Sequence, residues 1–145
     1  MEYDSYSPED TYELARKLGL NAKAGDVFCL IGNLGVGKTL FSQGFAKGLG
    51  IEEYVNSPTF TIVQEYEGRD DRRLTLYHFD VYRIEEPEEM EEVGFADMVY
   101  GGGVSLIEWA DMISDILPEQ YTRVTIEKNL EKGFDYRRIE VTEVG

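Results

Sequence analysis

Cysteine, basic side chains and long apolar runs are all scarce in this chain. Its single cysteine, Cys29, has no partner for an internal disulfide and lies in an apolar stretch, where it reads as a small buried hydrophobe. No apolar run approaches the length that crosses a bilayer. The acidic start Met1-Glu2-Tyr3-Asp4 leads into no apolar segment, so neither membrane contact nor a secretory signal is expected. Only 14 Lys and Arg face 29 Asp and Glu, a formal net charge of −15. Nucleic-acid affinity comes from cations that neutralise phosphates, so this balance argues against a strong independent grip on DNA or RNA. An acidic surface suits a basic protein partner, and it equally suits plain solvation. These shortages together predict a soluble, cytoplasmic protein.

What is present begins with a length of 145 residues, enough for one domain with a sizeable core. Ser7-Pro8-Glu9-Asp10 has the composition of a helix start, Leu14, Ala15 and Leu18 supply an apolar face, and Gly19 is expected to end that helix. Val27 to Ile31 is a short apolar run suited to a buried parallel strand, and Leu40 to Leu49 has helical character, stopped by Gly48 and Gly50. Thr61 to Tyr66 and Leu74 to Arg83 are rich in β-branched and aromatic residues. The loop between them, Glu67 to Arg73, has hairpin composition. A short acidic helix is expected from about Pro87, a flexible break at Gly101-Gly102-Gly103, and an apolar strand at Val104 to Ile107. Ala110 to Leu117 reads as a short helix closed by Pro118. Arg123 to Lys128 and Tyr136 to Thr142 are two last strands expected to pack on one edge. No repeat or linker divides residues 1–145, so the expected fold is a single α/β domain, a three-layer sandwich of the P-loop NTPase type. Its central sheet would be mixed and mainly parallel, with added antiparallel strands.

The strongest local signal is Gly32-Asn33-Leu34-Gly35-Val36-Gly37-Lys38-Thr39, which satisfies G-x-x-x-x-G-K-[ST] at every fixed position. Glycines let the chain curl so that backbone N–H groups face phosphate oxygens, and the following helix adds its positive end. Lys38 then reaches the β- and γ-phosphates and the Thr39 hydroxyl ligates Mg²⁺. A strand before the loop and a helix after it supply the context the motif needs. The chain is therefore expected to bind a nucleoside triphosphate.

Hydrolysis also requires an acid near the metal and a group that orients water. Glu108 follows the apolar strand Val104 to Ile107, where a Walker B acid stands. Asp80 lies toward the end of Leu74 to Arg83. A carboxylate in an otherwise apolar strand is costly unless paired or metal-bound, so both are candidate functional groups. His78 shares a strand face with Asp80 and reads either as a base or as a satisfied structural histidine. Arg83 has two readings, a phosphate contact or a partner of Glu85-Glu86. Trp109 has three: stacking on a base, packing on a partner, or core. Ser57-Pro58-Thr59-Phe60 occupies the place of a γ-phosphate switch, with Thr59 as its sensor.

The loop, together with Ser57-Pro58-Thr59-Phe60-Thr61, Tyr77-His78-Phe79-Asp80-Val81-Tyr82-Arg83 and Ile107-Glu108-Trp109, resembles the bacterial TsaE (YjeE) family in order and approximate spacing. The resemblance covers nearly the whole chain. It implies a small Mg²⁺-dependent ATPase that serves threonylcarbamoyladenosine formation on tRNA beside the anticodon. It further implies partnership with TsaD, which performs the transfer, and TsaB, its scaffold, with hydrolysis resetting or activating that complex. Carried over by position, Gly35, Val36, Gly37, Lys38, Thr39 and Leu40 surround the phosphates, and Thr39 and Glu108 hold Mg²⁺. By the same resemblance Asp80 lies near the γ-phosphate, Thr59 belongs to the switch, Trp109 sits in the active-site region, and Glu9 and Thr11 lie near the base. One departure is Asn33, where the family usually has Asp. The acidic balance then implies that tRNA is met only indirectly, through the protein partners.

Two other readings compete. A small-molecule kinase of the P-loop class needs an arginine-bearing lid, for which Arg69, Arg72 and Arg73 are the available cluster. A GTP-dependent switch would carry the guanine-reading Asn-Lys-x-Asp, which is absent.

Overall fold

A computed structural model describes residues 1–33, 35–56 and 62–145. The chain runs through β1 (Glu2–Ser5), α1 (Pro8–Asn21), β2 (Val27–Ile31), α2 (Lys38–Gly48), β3 (Val63–Glu67) and β4 (Thr75–Asp80). It continues through α3 (Glu89–Glu92), α4 (Phe95–Val99), β5 (Val104–Glu108), a 3₁₀ segment at Ala110–Ile116, β6 (Tyr121–Lys128) and β7 (Arg137–Val144). One seven-stranded sheet has the order β1-β7-β6-β2-β5-β4-β3. Its middle is parallel, β4 with β5, β5 with β2 and β2 with β6, and antiparallel strands flank it on both sides. Among the described residues, no helix is long and apolar enough to cross a membrane.

Alternation along the buried strands sorts their side chains into two cores. Phe28, Leu30, Val104 and Leu106 face one way, into a cluster with Phe41 and Phe45 of α2 and Ala15 of α1. Val27, Cys29 and Ile107 face the other, against Met90, Phe95 and Ile113. These are the outer layers of a three-layer α/β sandwich. β5 is buried along its whole length, as a central parallel strand must be.

Several local expectations are corrected. Gly19 does not end α1, which runs on to Asn21. Instead, Gly19 faces the Phe45 carbonyl of α2, while Gly44 and Gly48 face Tyr12 and Arg16 carbonyls of α1. A Cβ at any of the three would collide with backbone, so these glycines serve the close crossing of α1 and α2. The last two strands do not share an edge position: β6 joins β2 inside the sheet, and β1 forms the border beyond β7. The short helix expected after Glu108 is present as a 3₁₀ segment, broken at Ile113 (φ −126°, ψ 32°). β1 and α4 are too short to leave a readable period, and neither was expected.

Arg72 joins the two crossing helices at their C-terminal ends. Its Nη1 donates to the carbonyls of Gly19 (3.0 Å), Leu20 (3.1 Å) and Ala22 (2.9 Å), and its Nη2 to that of Gly48 (2.8 Å). Asp70 holds the guanidinium in place at 2.6 Å, and Arg72 in turn keeps the Asp70 carboxyl below its ordinary range. A cation here gathers carbonyls at both helix ends, of which that of Gly19 also accepts from the Ala22 N–H, and complements both helix dipoles. Arg72→Ala is expected to cost about 2–4 kcal/mol, since several charge-assisted hydrogen bonds vanish together. Thermal unfolding followed by circular dichroism should then show a midpoint roughly 5–15 °C lower. A shift below about 2 °C would mean that water replaces the side chain at little cost.

Candidate nucleotide site

The site is built where β2, β5 and β4 end. Parallel register places Leu30 opposite Glu108, and Glu108 opposite Asp80, so the two carboxylates are neighbours on the α2 face of the sheet. Burial pushes the Asp80 carboxyl above its ordinary range, and nearby Glu108 adds to this; the Tyr82 N–H, donating at 3.0 Å, works in the opposite direction. Glu108 is almost wholly buried, and one of its oxygens lies 2.6 Å from Nε2 of His78, which is fully buried. Ser42, one helical turn beyond Lys38, donates to the Lys38 carbonyl at 2.9 Å and stands 3.5 Å from the same Glu108 oxygen. His78 is closed to solvent and its Nε2 hydrogen bond orients Glu108, which fits a structural role. Its Nδ1 is buried without a hydrogen-bond partner among the described residues, so the satisfied-histidine reading holds for one ring nitrogen only.

Lys38 opens α2, and only 6% of it is exposed. Its Nζ is buried without a hydrogen-bond partner among the described residues, and lies 3.4 Å above the centre of the Trp109 ring. Burial lowers the pKa of this ammonium, against the pull of Glu108, Asp80 and Asp111. A buried cation without an acceptor is costly, and the expense is accounted for if an anion completes the site. The loop before Lys38 fits such an anion. Gly35 (φ 77°) and Gly37 (φ 112°) adopt left-handed backbone with open space on the side a Cβ would occupy, and no side chain caps α2. Thr39 follows Lys38 in the first turn of α2 and is itself exposed.

Trp109 caps the strand end in a strained form. Its φ is 62°, rare for a bulky residue and characteristic of sites where surrounding structure over-determines the backbone. The Trp109 N–H donates to the Leu30 carbonyl (3.3 Å), and the Val81 N–H to the Glu108 carbonyl (3.2 Å), so neighbouring strand ends hold the turn. Its ring meets Lys38 and also the Tyr82 ring, at 4.6 Å between centres. Trp109 is partly buried against the core that holds Met90, Phe95 and Ile113 while its ring also borders the site, so the position is part core and part site wall. A cleft of about 630 Å³ runs alongside, lined by Gly32, Asn33, Val36, Trp109, Asp111 and Lys128. That volume is in the range of small-molecule sites.

Other candidates lie elsewhere or are otherwise engaged. Thr11 is buried, with its hydroxyl 2.6 Å from that of Ser5, and Glu9 is exposed on the first turn of α1. β7 and β6 stand between their neighbour β1 and the loop-bearing β2. Arg83 is exposed, and the ion pairs among the described residues do not join it to Glu85 or Glu86. Thr59 and the rest of Ser57 to Thr61 lie outside the described residues. Three participants were not anticipated from sequence: Ser42, Tyr82 and Arg137, whose Nε donates to the Val36 carbonyl of the loop. Ser42 had a faint signal, a hydroxyl on an apolar helix face one turn after Lys38. Arg137 had none.

A glycine loop, a buried lysine heading a helix, and paired strand-end acids define a nucleotide-binding protein of the P-loop, ATPase-like class. The family model described as "Threonylcarbamoyl adenosine biosynthesis protein TsaE" matches residues 5–139. The Bacillus subtilis protein named tRNA threonylcarbamoyladenosine biosynthesis protein TsaE is 45% identical over 145 residues, all of this chain and 87% of that one. A protein of the same name from Treponema pallidum is 42% identical over 122 residues, 84% of this chain and 87% of its own. The crystal structure of Bacillus subtilis YdiB superposes with a TM-score of 0.79 at 38% identity, covering 100% of this chain and 86% of that one. The chain belongs to the TsaE family.

Proposed function

We propose that residues 1–145 form one domain that binds ATP with Mg²⁺ and hydrolyses the ATP, in the cytoplasm, in support of threonylcarbamoyladenosine formation on tRNA. The observation that carries this reading is the buried Lys38 ammonium at the head of α2, which has no hydrogen-bond partner among the described residues and feels the charges of Asp80 and Glu108. Backbone N–H groups from Gly35 to Leu40 and the Lys38 ammonium hold the phosphates. The Thr39 hydroxyl and the Glu108 carboxylate hold the metal, a donor set that suits Mg²⁺, which is bound through few carboxylates plus phosphate oxygens. When bound, Mg²⁺ neutralises charge on the phosphates. His78 and Ser42 fix the Glu108 carboxylate, and Asp80 orients the attacking water. Trp109 and Tyr82 wall the site, and Thr59 senses the γ-phosphate. Glu9 and Thr11 are the weakest assignments, Thr11 being bonded to Ser5.

The names of the relatives place them in tRNA threonylcarbamoyladenosine biosynthesis. For this chain we assign TsaD and TsaB homologues as partners, with tRNA contacted through them, in keeping with a net charge of −15. The kinase reading loses its lid: Arg72 is bound to the C-terminal ends of α1 and α2, whereas Lys38 stands at the N-terminal end of α2, about 15 Å away for a helix of that length.

A pull-down with TsaD and TsaB homologues, with and without ATP, combined with tracing of labelled γ-phosphate, tests the reading. Expected are nucleotide-dependent capture and label released to water. Label delivered to a metabolite would establish the kinase, and capture indifferent to nucleotide would remove the ATP-coupled role.

A further inference from the structure

Arg137 opens β7, 101 residues after Val36, yet its Nε donates a 2.7 Å hydrogen bond to the Val36 carbonyl in the phosphate loop. The same guanidinium is held by two more carbonyls, with Nη1 donating to Phe134 (3.0 Å) and Tyr136 (2.7 Å). Tyr136 is itself fixed: it is buried, its hydroxyl is bonded to Asp4, and its ring lies 5.3 Å from that of Tyr6. A planar fork gripped by carbonyls on a rigid base has little freedom, unlike a surface arginine.

Peptide geometry makes this contact consequential. In a trans peptide the C=O and the following N–H lie in one plane and point in opposite directions. Whatever fixes the Val36 oxygen on the β7 side therefore aims the Gly37 N–H the other way, toward the open side of the loop. Without a restraint this peptide is prone to flip, because Gly37 has no Cβ to bias its φ of 112°. The buried Val36 side chain anchors only one end of the unit.

We propose that Arg137 is a positioning residue of the phosphate loop, holding the Val36–Gly37 peptide so that the Gly37 N–H is presented to a bound phosphate. This rests on the nucleotide-binding reading above. Arg137 touches no phosphate itself; its effect is to order a donor before the ligand arrives. The interaction is made equally with substrate and transition state, so its loss raises KM and leaves kcat nearly unchanged.

The test uses the full chain with ADP as the binding probe, and steady-state ATP hydrolysis in the complex with its partners. Arg137→Met is expected to weaken ADP binding about tenfold and raise KM for ATP similarly, with kcat within about twofold. Arg137→Lys keeps the charge but reaches fewer carbonyls, and should fall between. A directly local readout is the amide resonance of Gly37: ADP should move it downfield in the wild type, and much less in Arg137→Met. If Arg137→Met fails to fold, Arg137→Lys decides by the same measurements. ADP affinity within twofold of wild type in the folded variants, or an undiminished Gly37 shift, overturns the proposal. A wild-type protein that binds no ADP overturns the nucleotide-binding reading instead.

Discussion

Lys38→Met is expected to abolish nucleotide binding and, in the same protein, to make the free chain harder to unfold. Loss of affinity follows from removing an ammonium that makes charge-assisted contacts to the phosphates. Two such contacts are worth about 3–4 kcal/mol together, a drop of at least roughly 100-fold. The gain in stability has a different origin. In the free protein the Nζ is buried, has no hydrogen-bond acceptor among the described residues, and is lowered in pKa by burial. It has the Trp109 face at 3.4 Å, where a cation–π contact returns only about 0.5–2 kcal/mol, and the pull of Glu108, Asp80 and Asp111, which burial outweighs. Methionine keeps the length and the contact with the ring but removes the desolvated charge. A gain of about 1 kcal/mol, or roughly 2–5 °C, is expected at neutral pH.

The pH dependence has a definite sign. Because the folded-state pKa of Lys38 lies below 10.5, the folded protein releases this proton before the unfolded chain does. Wild-type stability therefore rises with pH between those two values, and the advantage of the methionine variant shrinks across the same window. Titration with a fluorescent ATP analogue and thermal melts at neutral and alkaline pH check both halves. A variant that melts several degrees lower would show that the Trp109 contact outweighs the burial of charge.

Asp80→Asn should separate binding from turnover. Its neighbour in the sheet is Glu108, so it stands beside the acid assigned to the metal rather than in the loop that grips phosphate. Asparagine can still accept the Tyr82 N–H, and the local backbone should persist. ATP affinity is expected to stay within about threefold, while hydrolysis by the assembled complex falls about 100-fold or more, the usual worth of a positioned acid–base group. Burial holds the Asp80 pKa above 3.8. Wild-type turnover should therefore decline as pH falls toward that raised value, whereas the residual turnover of Asp80→Asn should lack this limb. Unchanged hydrolysis in the reconstituted complex would remove Asp80 from the mechanism.

Legibility varied with the range of the interaction. The phosphate loop was readable because its glycines, lysine and threonine act through neighbours within eight positions. Glu108 and Asp80 were readable as anomalies, carboxylates in strands that otherwise read as buried. His78 was visible but ambiguous, since its role depends on a partner 30 residues away. Gly19 was misread because a helix-ending glycine and one that admits another helix are the same letter; only the Phe45 carbonyl of α2 distinguishes them.

Residue order alone therefore carried the chain to a phosphate-binding α/β domain with two strand-end acids, because backbone conformation, strand alternation and helix starts are local properties. Folding in three dimensions decided the rest. It set Glu108 beside Asp80 through parallel register, brought His78 and Ser42 onto Glu108, and laid Lys38 against a strained Trp109. It also tied the phosphate loop to Arg137 across the sheet, while sending Arg72 to the far ends of α1 and α2. Such contacts join residues tens of positions apart, and their energy depends on burial and geometry that no short stretch of sequence contains.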